Sequence, residues 1–162
     1  MKKKCVVICS FIFLFSFMTA ANTFFLYTEE FCDDKAVALE ESVREGIMEE
    51  IFEAGYIIFD DVSGKKYETA ALMNQVLSYG ARYLVVVHIQ SQLSGKNSAE
   101  EKISSTADYA LYDARGQKIV GEARMEKEEN MAKARISRGQ FWYNLGVNIG
   151  KEIEKIYIRY IK

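Results

Sequence analysis

Residues 81–90, "ARYLVVVHIQ", constrain the fold more than any other part of the chain. In a strand they put Leu84, Val86, His88 and Gln90 on one face and Val85, Val87 and Ile89 on the other. Both faces are apolar until His88, so this strand is expected at the centre of a sheet with helices packed on it. His88 is the only histidine. It stands where the first face changes from apolar to polar, as it would where a buried strand emerges toward water.

The flanking segments alternate between short apolar runs and amphipathic stretches, with no proline to break them. "TFFLYTEEF" reads as a first strand. "DDKAVALEESVREGIMEEIFEAG" reads as a helix with Asp33 or Asp34 at its start, Ala36, Leu39, Val43, Ile47 and Ile51 along one stripe, and Gly55 at its end. "YIIFDD" is a second strand. "YETAALMNQVLSYG" is a second helix, with Ala70, Met73, Val76 and Leu77 on one side and Gly80 as its C-terminal cap.

After the central strand, residues 94–102 form a polar loop. "STADYALYDARGQKIVGEARME" reads as a hairpin in which Gly116 supplies a positive backbone angle, with Ile119, Gly121, Ala123 and Met125 on one side of its second strand. A charged connector leads to a last helix. There Phe141, Leu145, Ile149, Ile153, Ile156 and Tyr160 recur at helical spacing. The predicted fold is α+β, a mixed sheet of about five strands in the order β-α-β-α-β-β-β-α. The two helical crossovers require parallel neighbours among the first three strands, and the hairpin is antiparallel.

Residues 1–21 carry the three parts of an export signal: Lys2, Lys3 and Lys4, an apolar stretch from Cys5 to Met18, and the small-residue site Thr19-Ala20-Ala21. Cleavage after Ala21 leaves a single envelope domain, 22–162. The competing reading is an inner-membrane anchor through residues 5–27, because Phe24, Phe25, Leu26 and Tyr27 prolong the apolar character. Removing three lysines leaves 18 basic residues against 23 acidic ones. That balance argues against nucleic acid as a partner, and against an anionic membrane unless the N-terminal segment is retained. At 49% hydrophobic and 13% aromatic, the chain has the material for a core and not for a disordered tail.

Cys5 and Cys9 leave with the signal, so Cys32 has no partner for an internal disulfide. It could bridge two chains or join a metal site; a small residue before a helix start is the plainer role.

Two motifs carry a family resemblance. "GARYLVV" looks like a Gly-Ala-Asp-Tyr strand entry with Arg82 in place of Asp, and "LYDARGQKI" is similar to a strand ending in Asp before a turn and glycine. Both, in this order of elements, resemble bacterial envelope modules with an anticodon-binding-domain-like fold. That family includes the amino-terminal domain of the Tol-system propeller protein, the periplasmic domain of the curli secretion channel and the lipoprotein activators of penicillin-binding proteins. The resemblance implies a non-catalytic periplasmic module that binds other envelope proteins. The chain has no lipid-bearing cysteine at the Ala21 boundary, no propeller and no membrane hairpin, so channel and Tol roles do not carry over.

A hydrolase would have to rest on His88, and no nucleophile motif accompanies it. The paired carboxylates Asp60 and Asp61 could hold a cation or small molecule, with His88 as a further candidate ligand, although an aspartate beside "VSGKK" serves equally as a turn residue. No cofactor or metal is expected. For partner binding the candidates are the exposed sheet edge, the loop at 94–102, and Phe141, Trp142 and Tyr143, three successive aromatics that one helical face cannot bury together. Gly146 and Gly150 permit close approach of another backbone, and packing on the sheet is the expected use.

Overall fold

The computed structural model describes residues 23–32, 39–60, 68–95 and 100–162. Strands β1 (Thr23–Cys32), β2 (Ile57–Asp60), β3 (Tyr83–Ser94), β4 (Lys102–Asp113) and β5 (Lys118–Asn130) form one sheet in the order β2-β1-β3-β4-β5. β1 pairs in parallel with β2 and β3, and β3-β4-β5 is an antiparallel meander. The α+β class and the parallel start followed by a hairpin are as the sequence predicts. Helices α1 (Leu39–Glu53), α2 (Thr69–Ser78), the single turn α3 (Met131–Ala134) and α4 (Arg138–Ile161) complete the chain.

The central strand separates two cores. Val85, Val87 and Ile89 join Phe24, Leu26, Ile103, Ala107 and Leu111 beneath α1 and α4, while Leu84 and Val86 join Phe25 and Tyr27 beneath α2. From α1, Val43, Ile47 and Ile51 enter the larger core; from α4, Phe141, Trp142, Leu145, Ile149, Ile153 and Tyr157 do so. Each fully buried aliphatic of this set contributes about 1.5–3 kcal/mol.

α1 and α4 lie side by side because glycines remove the side chains between them. A Cβ at Gly146 would run into the Val43 carbonyl, one at Gly46 into the Tyr143 carbonyl, and one at Gly150 would come within 2.8 Å of the Glu50 Cβ. The Gly146 and Gly150 pair therefore receives a helix and not the sheet. Helix-on-helix contact is the tighter use of the spacing, because each glycine can accept the other helix's backbone.

Other local expectations shift for identifiable reasons. Gly55 and Gly80 do end α1 and α2 in the left-handed region, at φ 88° and 76°. In the β4–β5 turn, however, the positive φ of 46° falls on Gln117, and Gly116 has none. α2 rotates so that Leu72 and Val76 are buried, with Met73 beside them, while Ala70 and Leu77 face outward. A bulge between Leu111 and Tyr112 pairs them with Gly121 and Ile119, leaving Val120 as an extra residue on β5. Val120 and Met125 consequently pack toward α4 and Ile119 is pushed outward to 47% exposure, breaking the simple alternation. β5 also continues through "KEEN", where the sequence predicts a connector, to Asn130, whose side chain caps α3 by accepting from the Lys133 N–H at 2.9 Å. Asp33, Asp34 and Ala36 lie outside the described residues.

The two edges differ. β2 is four residues long, whereas β5 is thirteen residues rich in Glu and Lys.

Gly146→Ala should cost at least about 1–3 kcal/mol by forcing α1 and α4 apart. Gly116→Ala, with only ordinary contacts to Lys118, should cost less than about 1 kcal/mol. Urea denaturation of the two variants measures the difference, and equal losses would remove the close helix contact as its cause.

Candidate functional site: the open half of the sheet

α2 is short. It covers the first part of β1 and β3 on its side, and among the described residues no element covers the later part of that face. Beyond Val86 the exposed residues of this face include His88, Gln90 and Gln92 on β3, Ser104 and Asp108 on β4, and Glu122, Arg124, Glu126 and Glu128 on β5. The register sets Glu29, His88, Asp108 and Arg124 in one row across four strands. Acidic and basic side chains alternate along that row. His88 Nδ1 lies 3.2 Å from Glu29 Oε2, and Arg124 reaches Asp108 at 3.8 Å and Glu126 at 3.4 Å.

Below this row is a concavity of about 460 Å³ whose walls include Val86, His88, Asp108, Tyr112, Glu122 and Arg124. Its floor is apolar and its rim charged, the composition of a binding surface. None of the residues around it is a serine, cysteine or lysine. His88 thus has a carboxylate to orient it but no serine, cysteine or lysine beside it among these residues. The arrangement can recognise a polar group.

His88 is where the sequence places it, at the strand's emergence from under α2. Asp108 and Arg124 escape the sequence reading. Nothing in a single strand distinguishes them from other surface charges, and only the register of β3, β4 and β5 brings them to His88.

Asp60 does not join this site. It lies on the opposite face, where Arg44 of α1 holds its carboxylate at 3.1 Å. Asp61 and the Cys32 side chain lie outside the described residues. Among the described residues, no three His, Cys, Asp or Glu side chains come together in a way that could hold a metal ion.

The aromatic trio is corrected in part. Phe141 and Trp142 are 0% and 1% exposed, edge to face with ring centroids 4.9 Å apart, so neither offers a surface to a partner in this fold. α4 is covered on two sides, by the sheet and by α1, which is how one helix buries both. Only Tyr143 stays half-buried, and its hydroxyl donates to Glu49 at 2.7 Å.

The two motifs of the resemblance meet at the other end of the sheet. Asp113, 4% exposed, closes β4, and its carboxylate accepts from Arg82 at 3.2 Å, Tyr160 at 3.0 Å and the backbone N–H groups of Arg115 and Gly116 at 3.1 and 3.2 Å. Burial pushes this carboxyl upward, but the donated hydrogen bonds outweigh it and hold the group below its ordinary range. Arg82 thereby pins the entry of β3 to the exit of β4. Tyr157, buried beside Tyr83, is pushed up to about 12, mainly by loss of water.

With this geometry in hand, comparison with known proteins identifies the fold. It is shared with a bacterial lipoprotein. Lipoprotein GNA1162 from Neisseria meningitidis superposes with a TM-score of 0.56 at 12% identity, over 83% of this chain and 99% of that one. The PelC dodecamer from Paraburkholderia phytofirmans gives 0.54 at 9% identity, over 79% and 84%. TolB from Acinetobacter baumannii matches at 0.45 and 11% identity, over 85% of this chain and 28% of its own. No family model and no curated protein matches the sequence. Among the described residues no helix is long and apolar enough to cross a membrane.

Trp142→Ala should cost about 3–5 kcal/mol of stability, as for a buried aromatic and unlike an interface residue, read by urea denaturation. Asp113→Asn should cost about 2–3 kcal/mol at neutral pH. Because the folded-state pKa of Asp113 is depressed, its contribution is present above the unfolded value and lost as pH falls through the folded one. The gap between wild type and Asp113→Asn should therefore close below about pH 4, which denaturation at stepped pH measures.

Proposed function

We propose that the chain is an exported, non-catalytic binding module of the bacterial envelope that docks another envelope protein on the open half of its sheet. The observation carrying this reading is the open face beyond α2, with an apolar floor and a charged rim and, among the residues lining it, no serine, cysteine or lysine beside its histidine. The export signal expected at residues 1–21 and the fold shared with a lipoprotein support the compartment. A surface of this kind selects by charge register: a partner must set a cation against Asp108 and an anion against Arg124. The PelC structure is of a dodecamer, so a second copy of the chain is among the envelope proteins that could fill the role.

A photo-crosslinking residue at Gln90 or Arg124, expressed in cells, should give a discrete adduct with one envelope protein, lost when Asp108 is changed to Lys. The same probe at Glu45, on the outer side of α1, should give none. Equal adducts from both faces, or none from either, would overturn the assignment.

A further inference from the structure

Thr23 pairs with Ile57, Phe24 with Tyr83, Tyr83 with Asp113 and Asp113 with Lys118, so these strand ends together mark one end of the molecule. α1 and α2 also finish here, through Gly55 and Gly80, and α4 brings Tyr160 down onto Asp113. This end collects the exposed apolar side chains. Phe52, Ile57, Leu77, Tyr79, Ile119 and Ile161 are 70%, 53%, 38%, 61%, 47% and 55% exposed, whereas the opposite end shows only Leu93 among the described residues of this kind. Phe59, at 46%, lies two residues up the edge strand.

The exposed charges of this end are mostly basic. Arg115, Lys118, Arg159 and Lys162 are exposed at this end and Arg82 is half-buried there. Against them stand Glu53, Asp113 with its carboxylate engaged, and the negative poles of three helix C-termini. The other end is mixed, with Glu100, Glu101, Glu126, Glu128 and Glu129 beside Lys102, Lys127, Lys133, Arg135 and Arg138. The acidic net charge of the chain therefore conceals a basic, apolar end.

The upstream chain joins the fold at this end too. Thr23 opens β1, and the apolar stretch Cys5 to Met18 ends only a few residues before it. Exposed tyrosine and aliphatic side chains ringed by Lys and Arg are what a surface needs to rest in the headgroup layer of a bilayer.

We propose that this end of the molecule seats on a phospholipid bilayer surface, with Tyr79, Ile119 and Ile161 entering the headgroup layer and Arg115, Lys118, Arg159 and Lys162 contacting lipid phosphates. The open sheet face then stands away from the membrane, free for a protein partner. The seating is independent of whether residues 1–21 are removed, since a retained segment would leave the fold from the same end.

The test uses the exported chain in whichever form processing leaves it, with single reporters Ile119→Trp and Leu93→Trp and the buried Trp142 as common background. Vesicles of phosphatidylethanolamine with a minor share of phosphatidylglycerol, with and without brominated acyl chains, supply the surface. Bromination should quench the added emission of Ile119→Trp about twofold or more and leave that of Leu93→Trp unchanged. Changing Arg115 and Lys118 together to Glu should reduce the Ile119→Trp quenching. No quenching at Ile119→Trp, equal quenching at both positions, or indifference to charge reversal would each overturn the seating. A lipid-free dimer in sedimentation that Tyr79→Ser disperses would also overturn it, by assigning the end to a second copy.

Discussion

The close contact of α1 with α4 organises the molecule. Three glycines let the two helices share backbone contact, so together they form one cover wide enough for a full face of the sheet. That concentrates the main core on one side and leaves the other to the short α2. The open half of the sheet is the geometric remainder of this arrangement, and the row from Glu29 to Arg124 lies on it.

Much of the fold was legible because it depends on local periodicity. The run Leu84–Ile89 could only be central, and Val43, Ile47 and Ile51 of α1 and Phe141, Leu145, Ile149 and Ile153 of α4 are buried as their spacing predicts, with Ile156 and Tyr160 partly so. The bulge at Val120 was not legible, because it is set by how β5 pairs with β4 and not by its own alternation. Trp142 misled for a related reason. Three aromatics in succession imply exposure only for a helix with one buried side, and α4 has two.

The site was legible only as a single residue. His88 was found by its place on β3, but Asp108 and Arg124 become its neighbours through pairings between strands that sequence spacing does not encode. Asp60 shows the converse error. Its position at a strand's carboxyl end drew attention, and the structure gives its charge to Arg44, a partner sixteen residues earlier on another element.

The unequal sheet edges have a consequence for how the chain behaves in a crowded compartment. β5 is long and unpaired on its outer side, the kind of template that recruits further strands into fibres. A second copy of β5 laid antiparallel in centred register would set Arg124 against Arg124 and Glu122 against Glu126. Each of those juxtapositions is repulsive. The acidic and basic residues of this strand thus act as a solubility device built into the sequence, protecting the long edge from its own kind.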